Sequence, residues 1–335
     1  MIKLSIVIPT YDRNAVLLAN LPRVLDQLTD ECELIILDNA SPTPVEETLR
    51  SVGVLSGKPS RVSIHRNRYN LGGNANILRC FEMGTGDWVW TLGDDDLVNT
   101  GAVNRILDYI DRYNGGVLIN FQSHVSHVPR SDDKVSTGRM DFLVKVEQLT
   151  AISFISVCVY HRARTCRALE FGYQYTYSSF PQVVLVIMAL SEDSMCVFSK
   201  DRLLDQICIG QDTGTYAEVP IGMAVTGLRN LPLPLAEKRI LDNMIGDLAR
   251  IWLRPARLFR ELLFDGRRSP AQRRVCLRTL RRGLYSLRPS LWRRLELGVY
   301  GVMLWFPGCS LSLYRFLYRI ARDGRSPPER RVNRL

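Results

Sequence analysis

Residues 86–98 read GDWVWTLGDDDLV, an aromatic and β-branched run that stops at Gly93 and gives way to three consecutive aspartates. The apolar part, 87–92, has the length and composition of a strand. Three adjacent carboxylates repel one another, so a folded chain carries them only where water or a cation relieves the charge. Hard oxygen ligands at a strand end suit Mg²⁺ or Mn²⁺, which bind through one or two carboxylates and leave positions open for phosphate oxygens. The same triplet also fits a solvated acidic turn, or the cap of a helix beginning near Asn99.

On both sides of this stretch strands alternate with helices. KLSIVIP (3–9) precedes a helical pattern from Asn14 to Gln27, with Val16, Leu17, Leu21, Val24 and Leu25 on one face. ELIILD (33–38) precedes a helix near 45–55, RVSIHR (61–66) one near 74–83, and the aspartates one near 101–113. That alternation predicts an α/β fold with a mostly parallel central sheet flanked by helices. Ligands of such sheets bind beyond the carboxyl ends of the strands. There lie Thr10-Tyr11-Asp12, Asp38-Asn39-Ala40-Ser41, Asn67 to Gly73 and Gly93-Asp94-Asp95-Asp96, which together predict a polar, acidic crevice.

Beyond residue 115 the pattern loosens. GVLINFQ (116–122) and ISFISVCVYHR (152–162) read as strands, 128–137 as a polar loop, and Phe180-Pro181-Gln182 as the opening of a helix through Leu190. CVFSK (196–200) and LLDQICI (203–209) pair on paper as a closing hairpin. The expected division is a catalytic domain over 1–215 and a helical, arginine-rich region over 216–335.

Composition supports that division. The chain has 335 residues, 46% hydrophobic and 23% charged, which excludes a disordered or fibrous protein. Its formal net charge is +10, yet residues 236–335 hold 23 of the 44 basic residues and 8 of the 34 acidic ones, so the body is mildly acidic. Helices carrying arginine beside Trp252, Trp292, Trp305, Tyr300, Tyr314 and Tyr318 suit an anionic membrane surface, with an interface between copies of the chain as the alternative. The apolar density argues against nucleic acid. Residues 297–314 are uncharged, but Pro307-Gly308 interrupts them, which favours an interfacial segment over a spanning one. Eight cysteines without C-x-x-C spacing read as free thiols of a reducing compartment, and the N-terminus reads as a first strand, not a signal peptide.

The strand-end residues carry the chemistry. Asp38 closes the second strand, where an acidic group can accept hydrogen bonds from a ribose or base, or merely shape a turn. Thr10 and Tyr11 close the first strand beside it. Asn70-Leu71-Gly72-Gly73-Asn74-Ala75-Asn76 offers open backbone and amides just before a helix. His124 and His127 are three apart, but they sit in a strand-like run with no third ligand, which weakens a zinc reading. No G-x-G-x-x-G or G-x-x-x-x-G-K-S/T occurs, which argues against dehydrogenase and P-loop chemistry.

Taken together, LSIVIPTYDR (4–13), ELIILDNAS (33–41), NRYNLGGNANI (67–77) and GDWVWTLGDDDLV (86–98) resemble family 2 glycosyltransferases of the GT-A fold. The resemblance implies transfer of a sugar from a nucleoside-diphosphate sugar, with inversion, to a lipid-linked or saccharide acceptor. By it, Thr10, Tyr11, Asp38, Asn39 and Asn70 face the nucleoside. Asp94 and Asp96 face the metal, ribose and diphosphate, with Asp95 between them. The Leu-Gly-Asp-Asp-Asp and Phe-Pro-Gln variants are similar to an abequosyltransferase-like subgroup of bacterial O-antigen assembly, which implies a cytoplasmic protein peripheral to the inner membrane face. One departure stands out: where the family places a Glu-Asp pair, this chain has Pro181-Gln182, and glutamine cannot take a proton. Asp141, His161 and Asp193 are the remaining candidates for the base. A catalytically silent nucleotide-sugar-binding or scaffold protein of the same fold is the alternative.

Overall fold

The computed structural model describes residues 1–54, 61–123, 129–146, 148–208, 226–252 and 295. The strands are β1 Leu4–Thr10, β2 Cys32–Asp38, β3 Val62–Arg66, β4 Trp88–Thr91, β5 Asp96–Val98, β6 Gly116–Asn120, β7 Lys134–Thr137, β8 Cys158–His161, β9 Met195–Phe198 and β10 Leu204–Cys208. The first four helices, α1 Asn14–Leu25, α2 Val45–Ser51, α3 Gly73–Met83 and α4 Ala102–Arg112, follow β1, β2, β3 and β5. Then come α5 Gly138–Val146, α6 Thr150–Ser153, α7 Arg162–Thr165, α8 Leu169–Gln174, α9 Pro181–Ala189 and α10 Leu235–Trp252.

Eight strands form one sheet in the order β3-β2-β1-β4-β8-β6-β9-β7. β1 pairs in parallel with β2 and β4, β2 with β3, and β6 with β9, whereas β8 runs antiparallel to both β4 and β6 and β7 antiparallel to β9. The predicted mostly parallel sheet with flanking helices is therefore present. Its central strands are continuous apolar runs because helices cover both faces. Leu4, Ile6, Val7, Leu34, Ile36, Trp88, Val89 and Trp90 are all buried. The carboxyl ends of β1, β2 and β4 share one edge, and the starts of β4, β6 and β9 lie along the other.

Four expectations change after residue 95. Asp96–Val98 is a short strand paired with β10, and α4 starts at Ala102 behind Gly101, whose φ of 79° suits glycine. Only the last part of 152–162 is strand. α6 and a 3₁₀ turn at Ile155–Val157 take up the rest, because backbone carbonyls there accept from side chains: Ala151 from Asn120 Nδ2 at 2.7 Å and Ser156 from Trp90 Nε1 at 2.8 Å. The polar stretch 128–137 ends in the edge strand β7. β9 and β10 form no hairpin, since β6 and β7 already flank β9 on both sides.

Contacts divide the chain into one unit of Met1–Thr215 with Gly227–Leu248 and another of Tyr216–Thr226 with Ala249–Leu335. The stretch 227–248, expected in the C-terminal region, thus belongs to the first unit. Arg139 Nε pairs with Glu237 Oε2 at 2.7 Å, and the Tyr175 hydroxyl donates to the Asn230 carbonyl at 2.8 Å. The uncharged run 297–314, the aromatic residues from Trp292 onward, and His124 and His127 lie outside the described residues. Among the described residues no helix is long and apolar enough to cross a membrane. Cys32, Cys80, Cys158, Cys166 and Cys196 are free thiols.

Candidate active site

β1 delivers Thr10 buried at its carboxyl end and then turns through Asp12, at φ 54°, into Arg13. β4 ends beside it, and the chain turns at Gly93. An alanine at 93 would place its Cβ 2.5 Å from Asp96 Oδ2, so the Asp96 carboxylate would have to shift to admit it. Side chains from two distant segments hold the turn. The Gly93 amide donates to Ser156 Oγ at 2.8 Å, the Ser156 hydroxyl donates to Asp96 Oδ2, and the Asn20 side-chain amide donates to the Asp96 carbonyl.

The three carboxylates have different partners. Asp94 accepts from the Thr10 hydroxyl at Oδ2 (2.7 Å) and from Arg13 Nη1 at Oδ1 (2.7 Å). Asp95 accepts from Arg13 Nη2 at Oδ2 (2.8 Å). Asp96 is turned inward against Ser156 and is 4% exposed. The charge repulsion expected of the triplet is thus relieved largely by one guanidinium spread over two carboxylates. Burial pushes the Asp94 carboxyl up to about 6; the bonds from Thr10 and Arg13 oppose that, and the neighbouring charge of Asp95 adds to it.

Asp38 serves the fold. It is 1% exposed; Oδ1 accepts from the Ser41 amide at 2.8 Å, and Oδ2 accepts from the Val45 amide at 3.3 Å and from Arg66. Burial works against its charged form, and the bonds from Ser41, Arg66 and Val45 outweigh it, so the carboxyl stays below its ordinary range. Both oxygens of Asp38 thus have donors within the fold, one of them the first amide of α2. Asn39 and Asn70 are likewise engaged. Asn39 Oδ1 accepts from Asn67 Nδ2 (2.9 Å) and the Leu71 amide (3.0 Å), and Asn39 Nδ2 donates to Asn70 Oδ1 (2.9 Å), which also accepts from the Gly72 amide (2.8 Å). Asn67 Nδ2 continues the chain of amides to Asn76 Oδ1 at 2.8 Å. The loop that closes the crevice is therefore pinned to the end of β2. Of the expected nucleoside-facing residues, Tyr11 and Asn70 are exposed, Tyr11 at 42%.

None of the candidate bases reaches this edge. β7 and β8 run against β4, so Asp141 just past β7 and His161 at the end of β8 sit at the opposite edge, and Asp193 just before β9 joins them there. Asp141 accepts from the Thr137 amide (2.9 Å) and Lys145 (2.7 Å), and Asp193 accepts from the Ser191 hydroxyl (2.6 Å); both carboxyls are held low by those bonds. His161 stacks against Trp88 with ring centroids 5.2 Å apart, and burial with the Arg164 charge disfavours its imidazolium. Strand direction thus sets these three apart from the Thr10–Asp94 corner. Gln182 is buried, its Nε2 donating to the Ser153 carbonyl at 2.7 Å.

Arg13, Asn67 and Ser156 were not singled out by sequence reasoning. Arg13 had a signal, as a lone base directly behind Thr10-Tyr11-Asp12 and facing an acidic triplet across the strand ends. Among the described residues no three acidic, histidine or cysteine side chains converge as a metal-binding group. Asp94 and Asp95 do present two carboxylates at one corner. Their hard oxygens fit Mg²⁺ or Mn²⁺, with remaining positions left to phosphate and water, whereas Asp96 fits poorly because Ser156 occupies it.

Comparison with known proteins accords with this geometry. The model of glycosyl transferase family 2 matches residues 5–163, which contain all four strand-end loops. Abequosyltransferase RfbV of Salmonella typhimurium is 25% identical over 202 residues, covering 55% of this chain and 60% of that protein. The undecaprenyl-phosphate 4-deoxy-4-formamido-L-arabinose transferase of Aeromonas hydrophila is 41% identical over 98 residues, 28% of this chain and 29% of that protein. The chain thus spans less than two thirds of either relative. The crystal structure of S. aureus TarS 1–349 shares the fold, with a TM-score of 0.55 at 14% identity over 97% of this chain and 92% of that one. Residues 5–163 thus match glycosyl transferase family 2, and the relatives and the shared fold support a family 2 glycosyltransferase.

Proposed function

We propose that this chain transfers a sugar from a nucleoside-diphosphate sugar to a saccharide or lipid-linked intermediate of a surface polysaccharide. The observation that carries this reading is the meeting of Thr10, Arg13, Asp94 and Asp95 at the carboxyl ends of β1 and β4, within the family segment. Two relatives named for sugar transfer, one of them to undecaprenyl phosphate, support the acceptor class, and TarS solved with UDP-GlcNAc supports the donor class. In this reading Tyr11 and the pinned loop after β3 receive the nucleoside, and Asp94 with Asp95 lies at the diphosphate. What a bound Mg²⁺ or Mn²⁺ supplies at those carboxylates is neutralisation of charge on the departing diphosphate. The acceptor hydroxyl gives up its proton to solvent as its oxygen bonds to the anomeric carbon and the bond to the diphosphate oxygen breaks on the opposite face, so configuration inverts and the nucleoside diphosphate leaves.

The test is thermal unfolding with Mn²⁺ and, in turn, UDP, GDP, CDP and dTDP. One nucleotide at about 100 times its Kd adds about 2.7 kcal/mol, a rise of roughly 5–10 °C for a domain of this size. No rise with any of the four rejects the proposal. The rise has a predictable pH dependence. Because the folded Asp94 pKa, about 6, lies above the unfolded carboxyl value, the free protein is favoured by protonation and loses that contribution as pH rises through 6. Ligand binding needs the ionised form, so the Mn²⁺-dependent rise shrinks between pH 7.5 and 5. A rise unchanged at pH 5 would remove Asp94 from the site.

We further propose that the arginine-rich C-terminal stretch holds the protein at the cytoplasmic face of an anionic membrane. Co-sedimentation with phosphatidylglycerol vesicles but not with phosphatidylcholine vesicles is the expected result, and equal binding to both contradicts it.

Buried Gln182 and the position of the three carboxylate and histidine candidates at the far edge favour a second reading, a nucleotide-sugar-binding protein without turnover. Donor hydrolysis, even slow, decides for the enzyme.

A further inference from the structure

Arg13 has no place in the nucleoside or acceptor roles set out above, yet it makes the strongest polar contacts at the corner. A guanidinium usually forks onto both oxygens of one carboxylate. Here each arm takes a different one, Nη1 on Asp94 at 2.7 Å and Nη2 on Asp95 at 2.8 Å. The arrangement is enclosed, the side chains of Arg13, Asp94 and Asp95 being 17%, 5% and 24% exposed, so water screens it little. It comes from adjacent strand ends, Arg13 following β1 and the two aspartates following β4, so the guanidinium can move without disturbing the turn that Ser156 and Asn20 hold.

We infer that Arg13 is a positioning residue acting as a built-in counter-cation: in the free protein it occupies the carboxylate oxygens that a divalent cation needs, and it yields them when a diphosphate arrives. A phosphate oxygen offers the guanidinium an equivalent partner, so the diphosphate draws Arg13 off as the cation takes its place. Cation and nucleotide then bind cooperatively, each raising the affinity for the other by the same factor. The inference rests on the sugar-transfer reading only for the identity of the diphosphate ligand.

The experiment is calorimetric titration of the full chain with Mn²⁺ alone. Wild type is expected to bind weakly and R13Q at least tenfold more tightly, because glutamine fills the space without competing charge. R13K, whose ammonium cannot bridge both carboxylates, is expected to fall between them. A role confined to folding predicts the reverse, since loss of the bridge would loosen the site and weaken Mn²⁺ binding. Equal or weaker binding by R13Q therefore overturns the inference while leaving the sugar-transfer reading standing. If neither protein binds Mn²⁺, even with the four nucleotides present, both fall. Should R13Q fail to unfold cooperatively, R13K decides: tighter Mn²⁺ binding than wild type supports the inference, and unchanged or weaker binding overturns it.

Discussion

Asp95→Asn is expected to lower sugar transfer about 100- to 1,000-fold, the usual cost of removing one preorganised group that faces developing charge, while shifting the unfolding midpoint by no more than about 2 °C. The substitution is isosteric, and the Asp95 carboxylate is 24% exposed with Arg13 as its named partner, so little of the fold depends on it. Its effect on Asp94 is favourable to folding, because removing the adjacent charge eases ionisation there. The loss therefore falls on ligand and transition-state binding. Steady-state transfer assays with matched thermal unfolding check it; activity within a factor of five of wild type would place the diphosphate elsewhere.

Asp38→Ala separates a structural from a ligand-binding role. Ser41, Val45 and Arg66 all donate to this carboxylate, and Asp38 is 1% exposed. Breaking a buried ion pair costs about 3–5 kcal/mol, and because Arg66 is 40% exposed the expected loss is nearer 2–3 kcal/mol. Denaturant unfolding should show it as a lower midpoint with an unchanged slope. Since the folded pKa is depressed, the stabilisation is present above the unfolded value and disappears as pH falls below it through the folded one, so wild type and variant should converge in acid. A variant as stable as wild type but blind to nucleotide would place Asp38 in the nucleoside pocket.

The strands β1, β2 and β4 were legible because each is a largely apolar run closed by a polar residue, a pattern that a doubly covered parallel sheet imposes, and β3 because its apolar residues alternate with polar ones, as suits its place at the sheet edge. The acidic corner was legible for the same reason, as a triplet of carboxylates behind Trp88–Thr91. Partners were not. Nothing local to Asp38 distinguishes a carboxylate that caps a helix from one that meets a ribose, and its donors Ser41, Val45 and Arg66 meet it only in the folded chain. Ser156 lies 60 residues from Asp96, inside a run whose β-branched residues read as strand. The edge strand Lys134–Thr137 hid in a polar stretch because only Ser136 of its four residues is buried. The three candidate bases were plausible by residue type and are set apart from the corner by strand direction, which depends on pairings that no short window contains.

The two walls of the crevice are made of unlike materials. Around Thr10 and Gly93 the cohesion is ionic, a guanidinium shared between carboxylates. Around Asn39, Asn67, Asn70 and Asn76 it is a chain of neutral amides, donor to acceptor. Protons and counterions can loosen the first and have no grip on the second, so the wall that must exchange partners during turnover is electrostatic, while the wall that keeps the cleft's outline is indifferent to its ionic surroundings.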